Sequence, residues 1–368
     1  MAFRDTTGTA LRDLLESKGS EGARRVIQKA LESGKLRPDD FSIREIWEAC
    51  ERNEDGSVRS IHEAVSSDSF PKITGELINS RIIEAFESAP TIGDELVTTV
   101  PGIKQKIDTV AGFTASEGVD EVPEGHPYDD STLTEKHVTI HNKKYGRIIS
   151  VTEEMIFFDQ TGQILTRAQG IGDKAAQYKE RLIVEGVQDV QKAGQYVVYR
   201  PEGTGTAIYS TGNGNLKTSN PFGESGLEEV EKLAHQMRDD STGTHDTDYI
   251  FIADDDVIVL VPKDLQIEAL QMANSTLVPE SAENAVNIFK GKFKVRTSPY
   301  ITKQSATTWY WGNFKRSFWW EEVWPLQTMS MKPGHEDEFS RDIKSKFKVR
   351  MFGGIGAVDY RYAYKSTA

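Results

Sequence analysis

Two clusters of carboxylates are the first candidates for chemistry. Asp254-Asp255-Asp256 could hold a divalent cation through its oxygens, and with a histidine nearby such a site could run metal-assisted hydrolysis. The run follows the apolar segment Tyr249-Ile250-Phe251-Ile252 and precedes a helical stretch. Acids capping a helix start are therefore the competing reading. His335-Glu336-Asp337-Glu338 comes after Pro333-Gly334 and reads as the first turn of a short helix, with its acids at the positive end of the dipole. His137 and His141 have the spacing of metal ligands on a helix. The pattern around them alternates as a strand does, which would set the two about 13 Å apart.

Other motifs are weaker. Gly170-Ile171-Gly172-Asp173-Lys174 contains part of a phosphate-loop pattern, but it lies inside a helical stripe rather than between strand and helix. Gly353-Gly354-Ile355-Gly356 is followed by no helix that could offer its N-terminus to a phosphate. A nucleophile elbow, G-x-S-x-G, does not occur. Cys50 is the single cysteine, so neither an intramolecular disulfide nor a cysteine metal cage can form. Five of the six tryptophans fall between Trp309 and Trp324. They could make a stacking platform, although a hairpin core of cross-strand aromatic pairs is the simpler reading. No persuasive catalytic constellation emerges, and neither a cofactor nor a metal site is expected.

The elements that would position such residues are better defined. Residues 1–65 read as a small helical unit, with Ala23, Val26, Ile27, Ala30 and Leu31 at helical spacing. A polar, Ser-rich stretch, Ser66 to Ser69, marks its boundary. Ile73, Leu77, Ile78, Ile82, Ile83 and Phe86 predict another helix, closed by Pro90. From Thr161 to Gly186 the stripe Ile164, Ala168, Ile171, Ala175, Tyr178 and Leu182 predicts one long helix, about 39 Å from end to end. Gly170 and Gly172 within it imply a bend or close packing. A Gly- and Ser-rich insertion, Gly203 to Gly226, leads into an α/β lobe with helices near Leu227–Met237 and Asp264–Met272. The chain ends in β-type segments, with Tyr360, Tyr362 and Tyr364 on one face of the last.

Charge is distributed unevenly. Between Ile107 and Glu135 there is no Lys or Arg, while Glu117, Asp120, Glu121, Glu124, Asp129 and Asp130 accumulate. Such a tract cannot bury a core of its own. Flanked by well-patterned elements, it reads as a projecting two-stranded arm that needs a neighbour to receive it. Lys344, Lys346, Lys348 and Arg350 alternate with apolar residues and form the clearest basic stripe. Either the stripe meets the acidic arm of another subunit, giving register and partner choice, or it is a solvated strand face.

With 368 residues, 37% hydrophobic and 27% charged, the chain has ample material for a globular core in two or three lobes. The formal charge of −13 argues against a general nucleic-acid binder. Apolar runs are too short to span a membrane, and the first residues lack a signal-peptide layout, so synthesis in a cytosol is expected.

The order of elements resembles that of the major capsid proteins of tailed bacteriophages, the Hong Kong 97-type α+β fold. Lys144-Tyr145-Gly146-Arg147-Ile148-Ile149-Ser150-Val151-Thr152-Glu153-Glu154 looks like that family's strand entering the peripheral domain. Ala175-Ala176-Gln177-Tyr178-Lys179-Glu180 is similar to its spine helix, and Trp311-Gly312-Asn313-Phe314 to its Gly-Asp-Phe turn. The resemblance implies a structural shell protein rather than an enzyme, packing as pentamers and hexamers around double-stranded DNA that it does not bind by sequence. It further implies an N-terminal arm at 66–108, an extended loop at 109–152 lying over a neighbouring subunit, a peripheral domain at 153–195 and 326–368, and an axial domain at 196–325. Residues 1–65 would be a scaffolding-type unit, cleaved in some members. The expected partners are other copies of the chain, a portal, and a scaffold or maturation protease; the expected location is the virion capsid after synthesis in a bacterial cytoplasm. A nanocompartment shell of the same fold is the nearest alternative. A metal-dependent hydrolase built on Asp254–Asp256 is the alternative of another class.

Overall fold

The computed structural model describes residue 26 and residues 69–113, 135–152, 154–155, 163–190, 207–238, 249–250, 256–278, 286–331 and 343–368. The acidic residues Glu117 to Asp130, the helical unit 1–65 apart from residue 26, Asp254, Asp255 and the run His335–Glu338 lie outside them.

In chain order the principal elements are α1 (Ser69–Ser88), β1 (Thr98–Pro101), β2 (Ile107–Phe113), β3 (Glu135–His141), β4 (Lys143–Thr152) and α2 (Gln163–Val187). There follow β5 (Leu216–Lys217), α3 (Glu224–His235), β6 (Ile258–Val261), α4 (Gln266–Asn274), β7 (Lys294–Thr297) and β8 (Trp309–Gly312). The chain closes with β9 (Phe318–Ser330), β10 (Ile343–Ala357) and β11 (Ala363–Ser366). The strand orders are β1-β9-β10-β4, β5-β11-β8-β6-β7 and the pair β2-β3.

The chain divides into two compact units. The first comprises Met1–Pro90, Lys144–Tyr178 and Pro325–Met351. Its core forms where α1 packs on α2. Leu77, Ile78, Ile82 and Ala85 of α1 are buried, as are Ile164, Leu165, Ala168 and Ala176 of α2, both sets recurring at the three- and four-residue steps of one helix face. Gly172 marks the close approach: a Cβ there would strike the Ile82 carbonyl and come within 2.8 Å of Ala85 Cβ. Arg81 Nη2 donates to Gln169 Oε1 at 2.9 Å beside it. The close packing expected at this glycine is present, whereas Gly170 faces open space. On β10 the alternation is as expected, with Ile343, Phe347, Val349 and Met351 buried.

The second unit comprises Thr91–Lys143, Lys179–Trp324 and Phe352–Ala368. Its core joins Leu227, Val230 and Ala234 of α3 and Ala269 and Met272 of α4 to Val259, Val261, Trp309, Trp311 and Tyr364 of the five-stranded sheet. The tryptophans do not form the expected hairpin. β8 pairs antiparallel with β11 and β6, while β9 pairs with β1. The cause is local. Gly312 has φ 145°, and a Cβ there would strike the Tyr362 carbonyl. A helical turn at Phe314–Ser317 then redirects the chain before β9 begins. Trp309 instead meets Phe222 edge-on at 5.2 Å, and Trp311 meets Tyr364 at 5.5 Å. Of the three tyrosines assigned to the last strand, only Tyr364 lies in it; Tyr360 and Tyr362 precede it and pack against the core.

Candidate assembly surfaces: a hairpin arm and a cationic groove

The acidic tract is carried by a hairpin. β2 and β3 pair antiparallel from Ile107↔His141 to Phe113↔Glu135, a ribbon of about 23 Å at ~3.3 Å per residue. Val138 and Ile140 bury one face of β3. At the base, Asn142 Nδ2 donates to Glu321 Oε2 at 2.6 Å and to the Gln105 carbonyl at 3.2 Å. The Asn142 N–H donates to the Lys106 carbonyl at 2.8 Å. Burial raises the Glu321 carboxyl above its ordinary range, and the Asn142 amide opposes the shift. These bonds tie the base of the hairpin, at Gln105, Lys106 and Asn142, to Glu321 of β9. A second buried carboxylate orders the segment before β1. Glu180 Oε2 accepts from the Gly93 N–H at 2.6 Å and the Ile92 N–H at 3.1 Å, capping the short helical turn Gly93–Leu96.

The first unit carries a groove of about 930 Å³ between α2, β4 and β10. Its apolar floor includes Ile149, Ile171, Leu326, Val349 and Met351. Ile148 and Tyr178, 59% and 40% exposed, stand in it as large apolar side chains open to solvent. Tyr145 and Tyr178 pair at 5.2 Å between ring centroids. Lys144, Arg147, Arg167, Lys174 and Arg350 line it, with no carboxylate among the described residues. Lys174 Nζ donates to Gln177 Oε1 at 2.9 Å, and Arg167 Nη1 lies 3.7 Å from Met155 Sδ. Arg350 donates to Gln327 Oε1 through Nε and Nη2 at 3.2 and 3.1 Å.

Of the basic stripe singled out in the sequence, Arg350 reaches this groove, while Lys346 and Lys348 are half-buried elsewhere on β10. The side chain of Lys344 lies outside the described residues. Arg147, Arg167, Lys174, Ile148 and Tyr178 were not identified as site residues from the sequence. A signal was present: Arg167, Ile171, Lys174 and Tyr178 recur at steps of four, three and four along α2, the spacing of one helix face. The single stripe that predicted the long helix is thus split. Ile164, Ala168 and Leu182 are buried, but Ile171, Ala175 and Tyr178 face the groove.

The motifs weighed for catalysis resolve otherwise. His137 and His141 lie in β3 opposite Ala111 and Ile107. Among the described residues no three His, Cys, Asp or Glu side chains converge as metal ligands, and no helix is long and apolar enough to cross a membrane. Gly170 and Gly172 are interior to α2, and Gly353, Gly354 and Gly356 lie within β10, where each Cβ would strike a neighbouring residue.

Long helices, a four-stranded sheet, a five-stranded sheet and a paired hairpin make up an α+β architecture of the Hong Kong 97 type. The chain belongs to the phage capsid protein family, whose model matches residues 138–366. Its fold is similar to the capsid structure of cyanophage P-SCSP1u, at 12% identity and a TM-score of 0.50 over 76% of this chain and 88% of that one. The capsid of an empty GTA particle matches at 11% identity and a TM-score of 0.47, covering 74% of this chain and 88% of that chain. A structure from Mycobacterium phage Cain matches at 13% identity and 0.44, covering 74% and 92%. A search of curated proteins returns no match. The protein is therefore a structural capsid subunit, not an enzyme, and neither the hydrolase nor the nanocompartment reading is favoured.

Proposed function

We propose that the chain assembles through pentamers and hexamers into an icosahedral phage head enclosing double-stranded DNA. The observation that carries this reading is the hairpin β2–β3, paired along its length and joined by a tract that holds six acids and no Lys or Arg. Contacts repeated around a ring close into symmetric shells even when each is modest. In this reading residues 109–152 form the loop that overlies a neighbouring subunit, with Glu117, Asp120, Glu121, Glu124, Asp129 and Asp130 as its contact residues. The basic strand Lys344, Lys346, Lys348 and Arg350 is the first candidate to receive them. Residues 153–195 and 326–368 form the peripheral domain, 196–325 the axial domain, 66–108 the N-terminal arm, and 1–65 a scaffolding-type unit open to cleavage. A portal, with a scaffold or maturation protease, would complete the head in the cytoplasm of a bacterial host. The formal charge of −13 would let packaged DNA move without sticking, since tight binding requires cations that displace phosphate counterions.

Electron microscopy of the purified chain, beside its deletion lacking Val119–Asp130, tests this. Closed shells or five- and six-membered rings are expected from the full chain. The deletion should leave a folded subunit that makes none. Normal shells from the deletion would refute the role of the arm.

A further inference from the structure

We infer that Glu321 and Asn142 share one proton at the root of the hairpin, forming an acid–amide pair that acts as a pH-sensitive joint. Both side chains are 1% exposed, and Asn142 Nδ2 donates to Glu321 Oε2 at 2.6 Å. The acceptors set the orientation of the amide. Nδ2 also donates to the Gln105 carbonyl at 3.2 Å, and the opposite assignment would set Oδ1 against two oxygens. Asn142 Oδ1 and Glu321 Oε1 are then buried with no hydrogen-bond partner among the described residues. Buried oxygens of this kind are rare and costly, and here two occur on groups already bonded to each other. A single proton satisfies both. On Oε1 it turns that oxygen into a donor, and the amide that holds Oε2 offers Oδ1 as the acceptor. Two parallel hydrogen bonds between acid and amide result.

The surroundings favour the neutral acid. Burial raises the Glu321 carboxyl above its ordinary 4.5, the Asn142 amide opposes the shift, and the Asp108 carboxylate on β2 adds to it. Lys106 and His141, which flank the base of the hairpin, are exposed. On β1 the residue opposite Glu321 is Val100, and β10 presents Gly353 and Gly354. A Cβ at Gly354 would come within 2.8 Å of Asn142 Oδ1, so that oxygen is packed against backbone and not turned to water. The Asn142 N–H donates to the Lys106 carbonyl at 2.8 Å, which makes this residue the clasp between the two legs of the hairpin. The folded state holds the Glu321 proton more tightly than the unfolded chain does. The joint is therefore closed at and below the ordinary carboxylate range and loosens as pH rises through the raised value. Ionisation takes the donor from Oδ1 and leaves a charge buried on Glu321.

Hydrogen exchange of the full-length, unassembled subunit across pH tests the joint, read as protection factors at the Asn142 amide and along β2 and β3. In the unmodified chain protection should fall by about tenfold as pH rises through the Glu321 titration. The infrared band of a protonated carboxyl should disappear over the same interval. Glu321→Gln places an N–H where the acid has its O–H, so this variant should stay protected at every pH and lack the titrating band. Glu321→Ala should be poorly protected throughout. Asp108→Asn, at a half-buried position, removes a charge that raises Glu321 and should move both midpoints to lower pH. That shift keeps the test readable if Glu321→Gln fails to fold. Protection and infrared band indifferent to pH would overturn the inference, as would a Glu321→Gln variant as open as Glu321→Ala. Protection that grows with pH and is abolished by a chelator would also overturn it, assigning the two oxygens to a cation. The joint belongs to the single subunit, so its failure would leave the shell reading untouched.

Discussion

Trp309 and Tyr178 are both large aromatic side chains on regular elements, in opposite circumstances. Trp309 is 1% exposed, edge-on to Phe222, with its Nε1 donating to the Asn220 carbonyl at 3.2 Å. Tyr178 is 40% exposed at the rim of a groove. In the second unit, helices and sheet consume each other's apolar surface, so that surface stabilises the subunit. In the first unit, α2 spends one apolar stripe on α1 and leaves another open beneath a ring of cations. Apolar surface left open under a polar rim is the kind that marks an interaction site. The same residue types therefore close a core in one unit and stay open to solvent in the other.

The largest effect should come from opening the closed core. Trp309→Ala is expected to cost about 4 kcal/mol, read by denaturant unfolding of the unassembled subunit. Tyr178→Ala should cost under about 1 kcal/mol in the same assay while sharply reducing assembly. Equal stability losses at the two positions would break the comparison.

Gly172 and Gly170 sharpen it within one helix. Gly172→Ala drives a methyl into the α1 backbone and should cost about 3 kcal/mol. Gly170→Ala meets nothing within 4 Å and should gain about 1 kcal/mol from helix propensity. A destabilising Gly170→Ala would show that this face of α2 is closed rather than open.

A smaller effect concerns pH. Asp189 lies just past α2 at φ 54°. Burial raises its carboxyl from 3.8 to about 6, against the pull of Lys365 and the Ile208 N–H. The folded state then holds this proton more tightly than the unfolded chain. The resulting stabilisation is present below about pH 4, is lost as pH rises through about 6, and amounts to at most about 3 kcal/mol. Asp189→Asn should remove that slope from the Tm profile. An unchanged profile would mean that the carboxyl titrates normally.

Much of this organisation could be read from local pattern. The long helix, the helix before Pro90, the alternation of β10 and the strand around His137 and His141 all follow from periodicity within a single element. What could not be read depends on residues distant in sequence. The aromatic strands β8 and β9 look like a hairpin until Gly312 and the following helical turn place them in different sheets. The groove was missed for a related reason. Its cations come from β4, α2 and β10; only the stripe on β10 stands out alone, and of it Arg350 reaches the groove. On α2 the apolar positions merged two faces into one apparent stripe, because periodicity cannot tell which face meets α1 and which stays open.

The most direct test is hydroxyl-radical footprinting of the unassembled subunit against assembled particles. Tyr178 and Ile148 should become protected on assembly, while Trp309 and Trp311 should be equally protected in both. Equal labelling of Tyr178 and Ile148 before and after assembly would contradict the claim that the open apolar face of α2 is an interaction site for another copy.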